Sequence, residues 1–270
     1  MSMKFRLPDE IPIEEWPKPE EFVEEAIRIV SYAEDNGVTL RVMGGLAIHI
    51  HSREYDKLWR DLGRLGEKVF TDIDLAGYSK QRDDLLKIME ELDYKIWKQS
   101  MYYFAGRRYI FFGKIPMVEV FFDNLSMNHN INLKDRLESD KYTLPLAELL
   151  MSKLQIVKIN EKDIKDAILL LRAHDIGDDD DDRVNGKVIA EVMSRDWGFY
   201  YTFTSNLKTV LEKLDNYEAL SQDDIKIVSD RINRLLSLIE SKPKSLGWKM
   251  RAKVGTKKKW YNDVDEWIQF

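Results

Sequence analysis

Residues 69–79 read VFTDIDLAGYS. Val69, Thr71, Ile73 and Leu75 alternate with Phe70, Asp72 and Asp74, the period of two that predicts a β-strand over 69–79. Two carboxylates two residues apart would then project from one face. Upstream, VTLRVMGGLAIHIHS (38–52) begins as a strand and turns at Gly44-Gly45 into a helix start. Before it, residues 20–37 carry Phe22, Val23, Ala26, Ile27, Ile29, Val30 and Ala33 at helical spacing and close on Asn36-Gly37, a C-cap pair. Downstream, QRDDLLKIMEELDY (81–94) is a second amphipathic helix. YYFAGRRYIFFGKIPMVEVFFDNL (102–125) predicts a hairpin turning near Gly113-Lys114, with Met117–Phe122 as its second strand.

From Leu144 onward the period changes. LPLAELLMSKLQIV, EKDIKDAILLLRAH, GKVIAEVMSRDWGFYYTFTSNLKTVLEKL and DDIKIVSDRINRLLSLIES are all helical. The expectation is an α/β (α+β) chain: a mixed-sheet domain over 1–143, opened by a Pro-rich extended arm at 1–19, then a helical domain over 144–270. The run Asp178–Asp182 is expected to be solvated loop, since five adjacent like charges repel. It lacks the ligand spacing of an EF-hand.

Composition narrows the function classes. The chain has 270 residues, 44% hydrophobic and 33% charged, with 30 aromatics, so it can bury a core unaided. No apolar run approaches the ~18 residues of a membrane span. The opening residues hold no apolar segment of a secretory leader, which predicts a cytoplasmic protein with no membrane role. Zero cysteines exclude disulfides, thiolate catalysis and Cys-ligated metals. The net charge of −6 argues against a general nucleic-acid coat, but residues 242–270 carry eight Lys/Arg against three acids. Trp248, Trp260 and Trp267 are interleaved with these cations. This tail either docks on the body of the protein or stacks on single-stranded RNA.

The chemistry lies in an ordered set: Gly44-Gly45, then Asp72 and Asp74, then Glu119 on a later strand. A glycine turn at a helix start lets backbone N–H groups approach a phosphate with the helix dipole behind them. Three carboxylates form a hard oxygen cluster suited to Mg²⁺ or Mn²⁺ and to substrate phosphates. Such ions serve in-line displacement at phosphorus, the chemistry of nucleotidyl transfer.

In this order the motifs resemble those of the DNA polymerase beta-like nucleotidyltransferase superfamily. Within it, the chain is similar to small prokaryotic proteins akin to abortive-infection and toxin–antitoxin nucleotidyltransferases. The likeness runs over about residues 38–170. It is carried by Gly44-Gly45-Leu46-Ala47, Asp72-Ile73-Asp74-Leu75, Val118–Asp123 with Glu119, and Lys153 followed by Asn160–Asp166 with Lys162. The resemblance implies a catalytic domain beside a helical substrate domain. It implies metals on Asp72, Asp74 and Glu119, and a triphosphate facing Gly44-Gly45, with Lys153 and Lys162 nearby. NTP would be the substrate, and an RNA, a protein or a small molecule the acceptor. A non-catalytic module paired with a cognate protein is the alternative. Two features depart from the pattern: the stretch between Gly45 and Asp72 is long, and the third acid is Glu, with Asp123 on the same parity as its rival.

Other residues have plainer readings. His49 and His51 alternate but lack a third metal ligand nearby, so packing is expected. His129 and His174 stand alone and read as structural. Arg107-Arg108 could face a phosphate or keep an edge strand soluble. WGFYYTF (197–203) reads as core.

Overall fold

The computed structural model describes residues 8–63 and 68–264. Of the arm, residues 1–7 lie outside the described residues. The rest is not extended: 8–10 and 13–15 form 3₁₀ turns. Trp16 is buried, and its indole N–H donates to the Phe70 carbonyl at 2.9 Å, which folds this segment against the loop before the central strand.

Helix α1, Pro19–Asp35, has proline at its first position, where the missing N–H costs nothing. The Lys18 N–H donates to Glu21 Oε2 at 2.8 Å, and the helix ends at Asn36 with Gly37 at φ +76°. Its apolar stripe of Phe22, Ala26, Ile29, Val30 and Ala33 is buried. Then come β1 (Leu40–Val42), α2 (Gly44–His51), α3 (Asp56–Asp61), β2 (Ile73–Gly77), α4 (Arg82–Glu91) and β3 (Lys95–Ile96). α5 (Lys98–Tyr103), β4 (Arg108–Phe112), β5 (Val118–Phe122), β6 (Asn124–Ser126) and β7 (Asn130–Asn132) follow. The main sheet runs β1-β2-β5-β4-β3, and β6 and β7 form a separate hairpin. β2 and β5 are parallel and the other pairs antiparallel, so the sheet is mixed as expected.

The central strand is shorter than its alternation suggests. It starts at Ile73, whose N–H donates to the Met117 carbonyl at 3.0 Å, opposite the start of β5. Val69–Asp72 lie outside the strand and form the loop that enters it. The predicted hairpin is present: Arg108 lies opposite Phe121 and Ile110 opposite Glu119.

The second half is helical apart from one short strand pair among the described residues. It comprises α6 (Leu146–Leu154), α7 (Glu161–Ala173), β8 (Ile176–Gly177), β9 (Val184–Asn185), α8 (Gly186–Arg195), α9 (Trp197–Lys213), α10 (Gln222–Ser241) and α11 (Leu246–Val254). The single helical stretch expected over 186–214 is two helices. Asp196 breaks it, because its carboxylate caps the Phe199 N–H at 3.0 Å. Asp178–Asp182 fall between β8 and β9. One buried apolar cluster runs through both halves, from Trp16 to Ile239.

Histidines 49 and 129 pack as expected. His49 stacks on Trp59 at 4.7 Å, and His129 stacks on Phe199 at 4.9 Å with Nε2 2.9 Å from Thr202 Oγ1. The described part of the basic tail docks. The Trp260 indole N–H donates to Thr202 Oγ1 at 3.1 Å, and Trp248 meets Tyr200 edge-on. Trp267 lies outside the described residues. Among those residues, no helix is long and apolar enough to cross a membrane.

Candidate active site

Parallel pairing of β2 and β5 sets the carboxylates. Asp74 and Glu119 are direct neighbours in register, so their side chains leave the same face of the sheet. Asp72, two residues before Asp74, enters from the loop. The rival acid Asp123 sits beyond the end of β5, where its Oδ1 accepts the Ser79 N–H at 3.0 Å, away from the other three.

The twin glycines arrive through β1. Past Val42 the Met43 N–H donates to the Asp74 carbonyl at 2.8 Å, and the chain turns at once into α2. Gly44 takes φ +69°, and a Cβ there would lie 2.5 Å from Asp74 Oδ2. Only glycine lets this backbone lie against the carboxylate without displacing it.

The lysines come from the helical half. Lys153, near the end of α6, lies 2.9 Å from the fully buried Asp166 and 3.3 Å from Asp163, both on α7. Lys162 is on the first turn of α7, which is capped by Asn160 accepting the Asp163 N–H at 2.9 Å. A cleft of about 240 Å³ is lined by Asp72, Asp74, Gly45, Thr71, Lys153 and Lys162, among others. The lysines, although on separate helices, thus share a cavity with two of the acids and one glycine. Gly44 and Glu119 are not among the lining residues: Gly44 lies against Asp74, and Glu119 is 4% exposed beside it on the sheet.

Arg108 completes the arrangement. From β4 its guanidinium forms an ion pair with Glu119 Oε2 and lies over the Phe104 and Phe121 rings at 4.8 and 5.0 Å. The Arg107-Arg108 pair is visible in the sequence, but strand pairing alone brings Arg108 to Glu119. Asp163 and Asp166 fall within the Asn160–Asp166 motif, but their pairing with Lys153 is set by the packing of α6 against α7.

The three acids are crowded. Burial raises the pKa of Asp72, against the pull of its hydrogen bond from Thr71 and of Lys162. Burial, then the charges of Asp72 and Glu119, raises Asp74 well above the usual carboxylate value. Burial also raises Glu119, opposed by Arg108. Carboxylates held together this way favour a proton or a cation between them. Among the described residues these three acids do not bring one oxygen each within 4.8 Å of the others, so a divalent ion of the Mg²⁺ class would require their side chains to draw together around it.

No protein-family model and no curated protein matches this chain. Among solved structures it is similar to the antibiotic-resistance factor ANT(2'')-Ia, at 14% identity over 57% of this chain and 84% of that one, with a TM-score of 0.38. It is also similar to an antigenic nucleotidyltransferase-like protein from Paracoccidioides brasiliensis, at 12% identity over 84% of this chain and 96% of that one, with a TM-score of 0.41. Likenesses this distant leave the chemistry to this chain's own residues.

Proposed function

We propose that this protein is a nucleotidyltransferase that moves a nucleoside monophosphate from an NTP to an acceptor hydroxyl and releases pyrophosphate. The observation that carries the reading is a cleft lined by Asp72, Asp74, Gly45, Lys153 and Lys162, with Glu119 in register beside Asp74 on the neighbouring strand. Asp72, Asp74 and Glu119 would hold Mg²⁺ or Mn²⁺, which when bound neutralises charge on the phosphates and the departing pyrophosphate.

The chain's own groups do the rest. The N-terminus of α2 at Gly44-Gly45 presents backbone N–H groups toward the triphosphate. Lys162 and Lys153 offset its negative charge, with Lys153 fixed in place by Asp163 and Asp166. A bond forms between the acceptor oxygen and the α-phosphorus as the bond to pyrophosphate breaks. Glu119, whose Oε2 pairs with Arg108 and whose pKa burial raises, would take the hydroxyl proton. Most of the rate gain comes from positioning and charge neutralisation.

The test is transfer of label from α-labelled NTPs, in Mg²⁺ or Mn²⁺, to RNA, protein and small-molecule acceptors. Wild type should label one acceptor class. Asp72→Asn and Asp74→Asn should lose transfer while keeping the wild-type circular dichroism spectrum. Full transfer by either variant contradicts the assignment of roles. Absence of label with every acceptor favours a binding module on the same scaffold.

A further inference from the structure

A second cluster of titratable groups lies at the opposite ends of two helices that frame the cleft. α2 starts at Gly44 in the site and ends at His51, and α7 starts at Glu161, beside Lys162, and is capped by His174. One ring nitrogen of His51, one of His174 and a carboxylate oxygen of Asp182 lie within 4.8 Å of one another. The imidazoles meet edge-to-face at 5.8 Å, and His174 Nδ1 is 3.0 Å from Asp182 Oδ1.

Independent features point to a ligand here. His174 is 5% exposed, yet its Nε2 is buried without a hydrogen-bond partner among the described residues. The nitrogen that faces Asp182 is Nδ1, so an ion shared with Asp182 would sit on that edge of the ring. His51 is oriented as metal-bound imidazoles usually are: Nε2 lies 2.6 Å from Thr143 Oγ1, which itself donates to Asp140 Oδ1 at 2.9 Å. Burial lowers the pKa of both histidines, so both keep a lone pair at neutral pH. An open cavity of about 720 Å³ is lined by His51 and Asp182, though not by the buried His174, and gives an ion and a water access from the side of those two residues.

We propose that His51, His174 and Asp182 form a transition-metal site of the Zn²⁺ class, distinct from the carboxylate cluster. Two imidazoles and one carboxylate with an open position suit Zn²⁺, whereas Mg²⁺ and Ca²⁺ want oxygen alone. Ligand bonds of about 2 Å require the three donors to draw closer. Asp182 can supply much of that movement, since its side chain is 79% exposed. The ion would tie the end of α2 to the end of α7 and hold together the two helices whose starts carry Gly44, Gly45 and Lys162.

The test is titration of the full chain with Zn²⁺ alone, and with Co²⁺ as a visible-absorption reporter, in excess Mg²⁺ to occupy the carboxylate cluster. Wild type should bind one equivalent per chain, and Co²⁺ should give the intense bands of a low-coordinate nitrogen–oxygen site. His174→Gln and Asp182→Asn should each weaken Zn²⁺ binding by at least about 100-fold, the upper end of what loss of a group behind the ligands costs. Asp182 has φ +52°, which Asn tolerates, so Asp182→Asn decides the matter if His174→Gln fails to fold. An Asp72→Asn chain should bind Zn²⁺ as wild type does, which separates this site from the transferase reading. Absence of stoichiometric binding by wild type, or wild-type affinity in either ligand variant, overturns the proposal.

Discussion

Replacing Gly44 with alanine separates backbone strain from damage to the site. Two costs arise together. The first is conformational: Gly44 sits at φ +69°, where an L-residue loses roughly 1–2 kcal/mol. The second is local: the new Cβ would lie 2.5 Å from Asp74 Oδ2, against 3.4 Å for ordinary contact, so the carboxylate must retreat by about 0.9 Å. A displacement of about 1 Å at a reacting centre costs on the order of 100-fold in rate. Gly37 is the matched control, with φ +76° and nothing within 4 Å of the place a Cβ would take. Gly37→Ala should therefore lose a similar roughly 1–2 kcal/mol, a melting-temperature drop of roughly 2–4 °C for each kcal/mol, and keep full activity. Gly44→Ala should lose at least as much stability and also about 100-fold in single-turnover transfer of nucleotide. Calorimetry and the labelled-NTP assay read the two effects separately. Transfer by Gly44→Ala within twofold of Gly37→Ala would refute the view that the glycine exists to seat Asp74.

Other perturbations test the neighbouring interactions. In metal-free buffer the raised pKa values mean that the folded state holds protons that the unfolded chain has released. Stability should therefore fall as pH rises from about 3.8, the ordinary value of Asp74, through its higher folded-state pKa. Asp74→Asn should flatten that slope and melt above wild type at neutral pH, and Mg²⁺ should raise the melting temperature of wild type more than that of the variant. Arg136 pairs with the buried Glu148 at 2.6 Å and with Asp180 at 2.9 Å; Arg136→Met should cost about 3–5 kcal/mol by urea unfolding, because the buried Glu148 is left without this cation. A Cβ at Gly198 would collide with the Trp260 carbonyl oxygen, so Gly198→Ala should undock the tail and speed tryptic cleavage at Lys257–Lys259 with little change in global unfolding.

Local pattern determined most of the elements and several of their ends. The apolar stripe and Asn36-Gly37 marked α1, the alternation around Ile73 marked the central strand, and Gly113-Lys114 marked the hairpin, because each is governed by neighbours along the chain. The acids and glycines were legible for the same reason: strand parity and a glycine turn are short-range properties. Tertiary structure decided the rest. Asp74 faces Glu119 rather than Asp123 because β2 and β5 pair in one particular register, and no spacing within either strand encodes that offset. Lys153 and Lys162 meet in one cleft because α6 and α7 pack together, and Arg108 reaches Glu119 across a strand pair. His51, His174 and Asp182 are the extreme case. They read singly as packing, structural and solvated residues, and packing of two helix ends brings them within 4.8 Å. Contacts between residues far apart in the chain depend on how apolar faces are buried against one another, which a one-dimensional pattern does not record.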